Sequence, residues 1–532
     1  MKKLIILMLV LSMTLFSKNF KKEFDKILKP AYNKNTPSIS VAVIENDKII
    51  YKKAFGMASL ELNVPATTKS VYRIGSLSKQ ITGAAIAMLI QDGKIKPTDK
   101  IINYFPELPA EVYGEITIEQ MLFHTSGIRD SENMYPLMGM AYSQWYTHDM
   151  LMEMLKRQKG LSFTPGSQYE YSNSAYTLLA LIVERVSGEI FCEFVKEKIF
   201  DPLGMENTTM QTDDKTFIPN RTAGYKKVDE QYVNWMTNNQ LLGHDAVYSS
   251  VEDLFLWQQA LNKGKIGNYD LAIMKVPGKF NDGTFGNYGY GLVTGKYRGL
   301  DYYCHDGWYV GYKAFIMTIP KKEFSIILLS NQGNKYVRGY GIKMVEAYFK
   351  TENFITETLG EIKPNVLFKL PKEARLVRKS IGGFKTIESI EKSYFQSPDK
   401  DNEFWTADHL NKFKMQKNDD GLEFIQYTSY GSRHKYAPFV EIETNDRYIQ
   451  KISGKYFSNE LDNCGKIYIN DSKVILEVGL NKSELIQVFP DKFASEDCMI
   501  TIQKDEYENI VGFVFSTYSV RGIIFMKEKN EN

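Results

Sequence analysis

Cysteine is scarce. The 532 residues hold four, Cys192, Cys304, Cys464 and Cys498, spaced too widely for any metal-ligand motif. Structural thiols are the expectation; Cys464 and Cys498 share the C-terminal segment, and the sequence leaves their pairing open. No short-period repeat or low-complexity tract is present. Surplus charge is equally small: 66 basic side chains face 64 acidic ones, and Lys2 and Lys3 account for the difference. A chain that is neutral without them offers no electrostatic reason for a nucleic-acid partner. A long apolar run, Leu4–Phe16 with only Ser12 and Thr14 as small polar members, follows Met1-Lys2-Lys3. That run is short for a membrane span and has the charge and apolar pattern of an export signal ending near Ser17. No cysteine lies near it to carry a lipid anchor. The expectation is a protein exported to the periplasm or outside the cell, with no integral membrane span once residues 1–17 are removed.

The remainder has a core-building composition, 43% hydrophobic and 13% aromatic with 24% charged residues, spread over a length that suits more than one domain. A helix is predicted over Phe20–Leu28. Two apolar strands, Ser40–Ile44 and Lys48–Ala54, are predicted to turn at Glu45-Asn46-Asp47. Helical patterns dominate until a second hairpin, Tyr312–Ile319 and Phe324–Leu329, and a helix over Val337–Phe349. Strands that open and close a largely helical region predict an α/β catalytic domain over 18–355, an antiparallel sheet flanked by helices with a helical region added. Residues 356–371 read as a linker. Beyond it short alternating strands predict all-β modules over 372–447 and 448–532.

Three short motifs carry chemistry. Ser76-Leu77-Ser78-Lys79 is a Ser-x-x-Lys motif, a pattern that also occurs at Ser389, Ser397 and Ser432. Only the first opens a helical period, with Ile81, Ala84, Ala85, Met88 and Leu89 following. A serine at a helix start with lysine one turn on is suited to nucleophilic catalysis, since the hydroxyl needs a base within reach. The Ser76 N–H adds an oxyanion donor. The same residues also serve elsewhere as a plain helix cap followed by a solvated lysine. Tyr171-Ser172-Asn173 ends a turn and opens an amphipathic helix, presenting a phenol that moves protons and a carboxamide that orients an amide. His305-Asp306-Gly307 precedes a strand edge, where Gly307 allows close backbone approach and the Trp308 N–H is placed to complete an oxyanion hole. Taken alone, each of the last two is equally a surface turn or helix cap. His124 and His244 receive plain structural readings.

The ordered set Ser76-x-x-Lys79, Tyr171-x-Asn173 and His305-x-Gly307 resembles the serine β-lactamase-like family of class C β-lactamases, D-alanyl-D-alanine carboxypeptidases, esterases and D-aminopeptidases. Flanking runs such as Leu122–Gly127 and Pro202–Met205 agree, and the likeness covers residues 35 to 335. The resemblance implies Ser76 as acylated nucleophile, Lys79 and Tyr171 as proton carriers, and Asn173, His305, Asp306 and Gly307 as substrate-binding residues. It also implies an oxyanion hole from Ser76 and Trp308, a small-molecule or peptide substrate, and no metal or organic cofactor. The oligomeric state is left open. Where β-lactamases have Lys-Thr-Gly, this chain has His305-Asp306-Gly307; a carboxylate at Asp306 is expected to repel acidic substrates, favouring amidase, peptidase or esterase action over β-lactamase or carboxypeptidase action. A non-catalytic sensor of cell-wall fragments is the rival from another class. The C-terminal segment, Gly454–Leu461 above all, resembles lipocalin-like β modules.

Overall fold

The computed structural model describes residues 20–349 apart from 142, 143, 214 and 238, strand segments between 375 and 442, and residues 445–528 apart from 518. The expected export signal and the linker at 356–371 lie outside the described residues, as do Ser389, Ser397 and Ser432. The chain forms two compact units. One comprises Met1–Asp92, Val183–Val276 and Tyr290–Thr356; the other comprises Gly93–Ile182, Pro277–Gly289 and Glu357–Asn532. The expected catalytic segment therefore contributes to both.

In the first unit, β1 (Ile39–Glu45) and β2 (Lys48–Phe55) form the opening hairpin. Asn46 and Asp47 turn it at φ 49° and 56°, left-handed values that suit a tight hairpin turn and that Asn and Asp tolerate. Every residue of β1 but Glu45 is buried, which makes it a central strand with an unbroken apolar run. The α1 helix (Ser78–Gln91) and α3 (Val251–Lys263) come between, with β3 (Val293–Tyr297), β4 (Leu300–Tyr309), β5 (Tyr312–Ile319), β6 (Phe324–Ser330) and α4 (Val337–Phe349) closing the unit. Helix α2 (Asn173–Ser187) precedes α3 in the chain. The sheet is antiparallel throughout in the order β3-β4-β5-β6-β1-β2. Chain-distant β1 and β6 pair from Ile39↔Ser330 to Glu45↔Phe324, so the two ends of the catalytic segment are stitched at the sheet centre.

Helices cover both faces of this sheet. Gly341 of α4 lies against Phe315 and Leu328, while on the other face Gln258 of α3 donates to the Tyr303 hydroxyl at 2.8 Å. Helix α1 joins that second layer through Gln80, which accepts from the Trp257 indole at 2.8 Å. This is the α/β fold expected, a sheet flanked by helices.

The second unit contains short helices, Ile118–Leu122, Ser131–Leu137 and His148–Lys156, and the C-terminal β structure. Its all-β part has a seven-stranded antiparallel sheet running from Arg375–Arg378 to Arg433–Phe439 and a closed eight-stranded barrel. The barrel strands are β7 (Gly454–Ser458), β8 (Asn463–Asn470), β9 (Lys473–Val478), β10 (Asn481–Phe489), β11 (Lys492–Ala494), β12 (Cys498–Lys504), β13 (Ile510–Thr517) and β14 (Ile523–Lys527). Closure comes from β7 pairing with β14, and Phe513 fills the interior between stacked Phe525 and edge-on Tyr456. Closing the sheet removes its free edges. All four cysteines are unpaired, with Cys464 exposed and Cys498 buried. Among the described residues no helix is long and apolar enough to cross a membrane.

Candidate active site

From Val71 to Leu89 every residue of the first unit is buried except Ser76. The chain turns through a single 3-10 turn, Gly75–Leu77, before α1 starts at Ser78. Ser76 therefore sits on the turn just before the helix. Two glycines permit the approach behind it. Gly75 has φ +57°, and a β-carbon there would lie 2.6 Å from the Trp308 backbone nitrogen. A β-carbon on Gly307 would lie 2.0 Å from the Ile74 carbonyl oxygen. Backbone thus packs on backbone, and the Trp308 nitrogen is brought alongside the Ser76 turn.

Lys79 is wholly buried, and its Nζ lies 3.2 Å from the Ser76 Oγ and 3.1 Å from the His244 carbonyl oxygen. That carbonyl belongs to a pinned segment. The Thr82 hydroxyl donates to the Gly243 carbonyl at 2.7 Å, and Asp245 accepts from Arg73 at 2.8 Å with both side chains dry. Ala246 is held at φ 80°, a strained value for a residue with a β-carbon that persists where its surroundings fix it. His244 thus contributes through its carbonyl, a role that no side-chain motif announces.

His305 is buried on β4, with Nδ1 2.6 Å from the Asp306 carbonyl oxygen. A carbonyl only accepts, so Nδ1 carries the proton of a neutral ring. Burial pushes its pKa down to about 4; the bond to the Asp306 carbonyl opposes this, and Lys79, when protonated, adds to it. Asp306 points the other way. Alternate strand residues face opposite sides, and Asp306 accepts from the Arg338 guanidinium of α4 at 2.8 Å. The expectation of an unpaired carboxylate confronting substrate does not describe this residue, because its charge is matched on the α4 side of the sheet.

In the second unit Tyr171 and Asn173 lie on a turn bracketed by His124, which is wholly buried at φ 57°. The His124 carbonyl accepts from the Glu170 N–H at 2.9 Å and its Nδ1 accepts from the Ser172 N–H at 3.1 Å. Its ring packs 4.2 Å from that of Tyr171 and 4.6 Å from that of Tyr288, centroid to centroid. Asn173 is fixed by Asp130, whose carboxylate accepts from the Asn173 N–H at 3.2 Å and from its Nδ2 at 2.9 Å. Asp130 also caps the Ser131–Leu137 helix through the Glu132 N–H, a local duty that hides its second one from a reading of sequence. Among the described residues no group of three or more His, Cys, Asp or Glu is placed to hold a metal ion.

A family model described as Beta-lactamase matches residues 20–346. The chain is 28% identical over 341 residues to penicillin-binding protein 4* of Bacillus subtilis, covering 59% of this chain and 72% of that one. It is 24% identical over 297 residues to a D-aminopeptidase of Gluconobacter oxydans, covering 56% of each. Among solved structures, the octameric penicillin-binding protein homologue of Pyrococcus abyssi matches with a TM-score of 0.53 at 21% identity, over 88% of this chain and 99% of that one, a likeness of fold.

Proposed function

The chain belongs to the beta-lactamase family and is a serine hydrolase, and on that premise we propose that it cleaves small amide, peptide or ester substrates through an acyl-Ser76 intermediate. The observation that carries this is Ser76, the one residue from Val71 to Leu89 that is not fully buried, with the Lys79 Nζ 3.2 Å from its hydroxyl. Ser76 Oγ attacks the carbonyl carbon as its proton passes to Lys79, and the oxyanion is met by the Ser76 and Trp308 N–H groups. The tetrahedral species collapses, and the leaving amine or alcohol departs with the proton. Water then repeats the sequence on the acyl-serine and regenerates Ser76. Tyr171 as proton relay, and Asn173 as the group that orients the substrate amide, rest on their motif and its order in the chain.

His305 and Gly307 belong in this proposal as substrate-side residues of β4. A neutral His305 offers hydrogen bonds without charge, which suits an uncharged amide or ester. Asp306 is assigned instead to holding β4 against α4, so it supplies no charge argument against acidic substrates. β-Lactam or D-alanyl-D-alanine hydrolysis is accordingly the second reading, favoured by the likeness to penicillin-binding proteins. Amidase or peptidase action on D-amino-acid compounds is preferred for the histidine in the third motif and the likeness to a D-aminopeptidase. A catalytically idle sensor is disfavoured, having no need of Ser76 and Lys79 together.

A panel of p-nitrophenyl esters, D-amino-acid p-nitroanilides, nitrocefin and a D-Ala-D-Ala peptide, run on wild type and Ser76→Ala, tests the reading. Turnover that vanishes with Ser76→Ala supports it; turnover that survives ends it. Export belongs to the same proposal, on the strength of the Met1–Ser17 pattern. Fractionated cells should yield a mature form lacking about the first 17 residues, and an intact N-terminus in the cytoplasm would contradict this.

A further inference from the structure

We propose that the C-terminal barrel holds the Tyr171-x-Asn173 turn in place, with Glu460 and Arg521 as positioning residues for the reaction. Glu460 lies between β7 and β8, and Arg521 between β13 and β14. These ends are neighbours because β7 pairs with β14, and the Ile524 N–H reaches the Glu460 carboxylate at 3.5 Å.

Each flank of the turn is held by a residue tied to the barrel. On one flank, Glu170 immediately precedes Tyr171, and its carboxylate accepts from the Arg521 guanidinium. Arg521 also donates to Gln168 at 3.1 Å. On the other flank, Ser174 immediately follows Asn173, and its hydroxyl donates to the Arg129 carbonyl at 2.8 Å. The Arg129 side chain donates to Glu460 at 2.5 Å and to the Arg521 carbonyl at 3.0 Å. Glu460 in turn accepts from the Lys159 N–H at 2.9 Å. Asp130, which grips Asn173 through its carboxylate, donates its own N–H to the Ser519 carbonyl of the barrel at 3.3 Å.

The burial of these charges makes the arrangement obligatory. Arg129 and Glu460 are 3% and 5% exposed, and Glu170 is 5% exposed. A buried charge left without its partner is strongly unfavourable, whereas an intact pair chiefly fixes geometry. Burial also raises the Glu170 carboxyl to about 7, with Arg521 opposing that rise. Without the Arg521 guanidinium, Glu170 would have to protonate or move, and Tyr171 is the next residue. An appendage that only shared a surface would not need two ion pairs with buried carboxyls, Arg521–Glu170 and Arg129–Glu460, beside this turn.

The inference rests on the proposed acyl-serine reading, in which Asn173 orients the substrate amide. The test uses the full chain and compares D-alanine p-nitroanilide with p-nitrophenyl acetate, an ester with no amide for Asn173 to hold and a phenolate leaving group that needs no proton from Tyr171. Arg521→Met should lower kcat/KM for the anilide roughly tenfold and leave the ester within about twofold, the scale of a small misplacement of a binding group. Arg521→Lys should restore part of the loss. In an Asn173→Ala/Tyr171→Phe background, Arg521→Met should cause no further loss on the anilide, because residues acting through one another are non-additive. Glu460→Gln should give the same pattern if Arg521→Met folds poorly. Equal losses on both substrates, or the full loss repeated in Asn173→Ala/Tyr171→Phe, would overturn the proposal. So would unchanged hydrogen exchange of the 170–174 amides in Arg521→Met. Turnover surviving Ser76→Ala would instead sink the acyl-serine reading, leaving the exchange measurement to judge the barrel's hold on the turn.

Discussion

The Lys79 Nζ stands 3.2 Å from the Ser76 Oγ and 3.1 Å from the His244 carbonyl oxygen, so a fixed backbone acceptor aims the amine at the hydroxyl. Lys79→Met removes the proton acceptor while keeping the apolar stem. Acylation by a p-nitrophenyl ester, followed as a burst in stopped flow, should slow by roughly two orders of magnitude or more, the scale of general base catalysis. A near-normal burst would take lysine out of the mechanism.

Asp306 and Arg338 form an ion pair in which the arginine is largely buried. Asp306→Asn leaves that guanidinium without its counter-charge. Since Asp306 is itself 28% exposed, water will offset part of the loss, and the destabilisation should be about 1–2 kcal/mol, below the range for fully buried pairs. Denaturant melts measure it directly. The ratio of nitrocefin to ester turnover should change little; a large rise would mean that the carboxylate faces substrate after all.

His305 supplies a pH signature. Its pKa is pushed down to about 4 from an ordinary 6.5, so between those values the unfolded chain binds more protons than the folded one. Stability from this group is therefore complete above pH 6.5 and declines as pH falls toward 4. Urea melts at stepped pH should show a shallower decline over that window in His305→Gln than in wild type. Parallel curves would place an ordinary, protonatable histidine there.

Gly307 has no room for a side chain, with the Ile74 carbonyl oxygen 2.0 Å from where a β-carbon would stand. Gly307→Ala must push β4 away from the Ser76 turn. Loss of kcat by roughly tenfold or more is expected, the cost of weakening one oxyanion donor being larger still. Wild-type kcat in a folded Gly307→Ala would show that this contact is not part of the oxyanion geometry.

Sequence and structure agree where a single local signal decides the matter. The Asn46-Asp47 turn, β5 at Tyr312–Ile319 and α4 at Val337–Phe349 carry their own periodicity and turn residues, and each lies where it is expected. Ser76 and Lys79 lie side by side for a similarly local reason, being three residues apart where the Gly75–Leu77 turn runs into α1. What pairing brings together was not legible in the sequence. The β1–β6 register joins residues almost 300 apart, and the pinned His244 carbonyl has no side-chain signature. His124 and Asp130 were hidden differently, behind the ordinary duties of ending and capping helices. The direction of Asp306 needed the strand's register against β5 and the approach of α4, neither of which a three-residue motif contains.

The central claim is that Ser76 becomes acylated, and intact-protein and peptide mass spectrometry after exposure to a slow acylating agent tests it most directly. A slowly hydrolysed activated ester or a poorly hydrolysed β-lactam should add one equivalent of its acyl group, on the peptide containing Ser76, with no addition to Ser76→Ala. An adduct on Ser389, Ser397 or Ser432, or undiminished labelling of Ser76→Ala, would contradict the account.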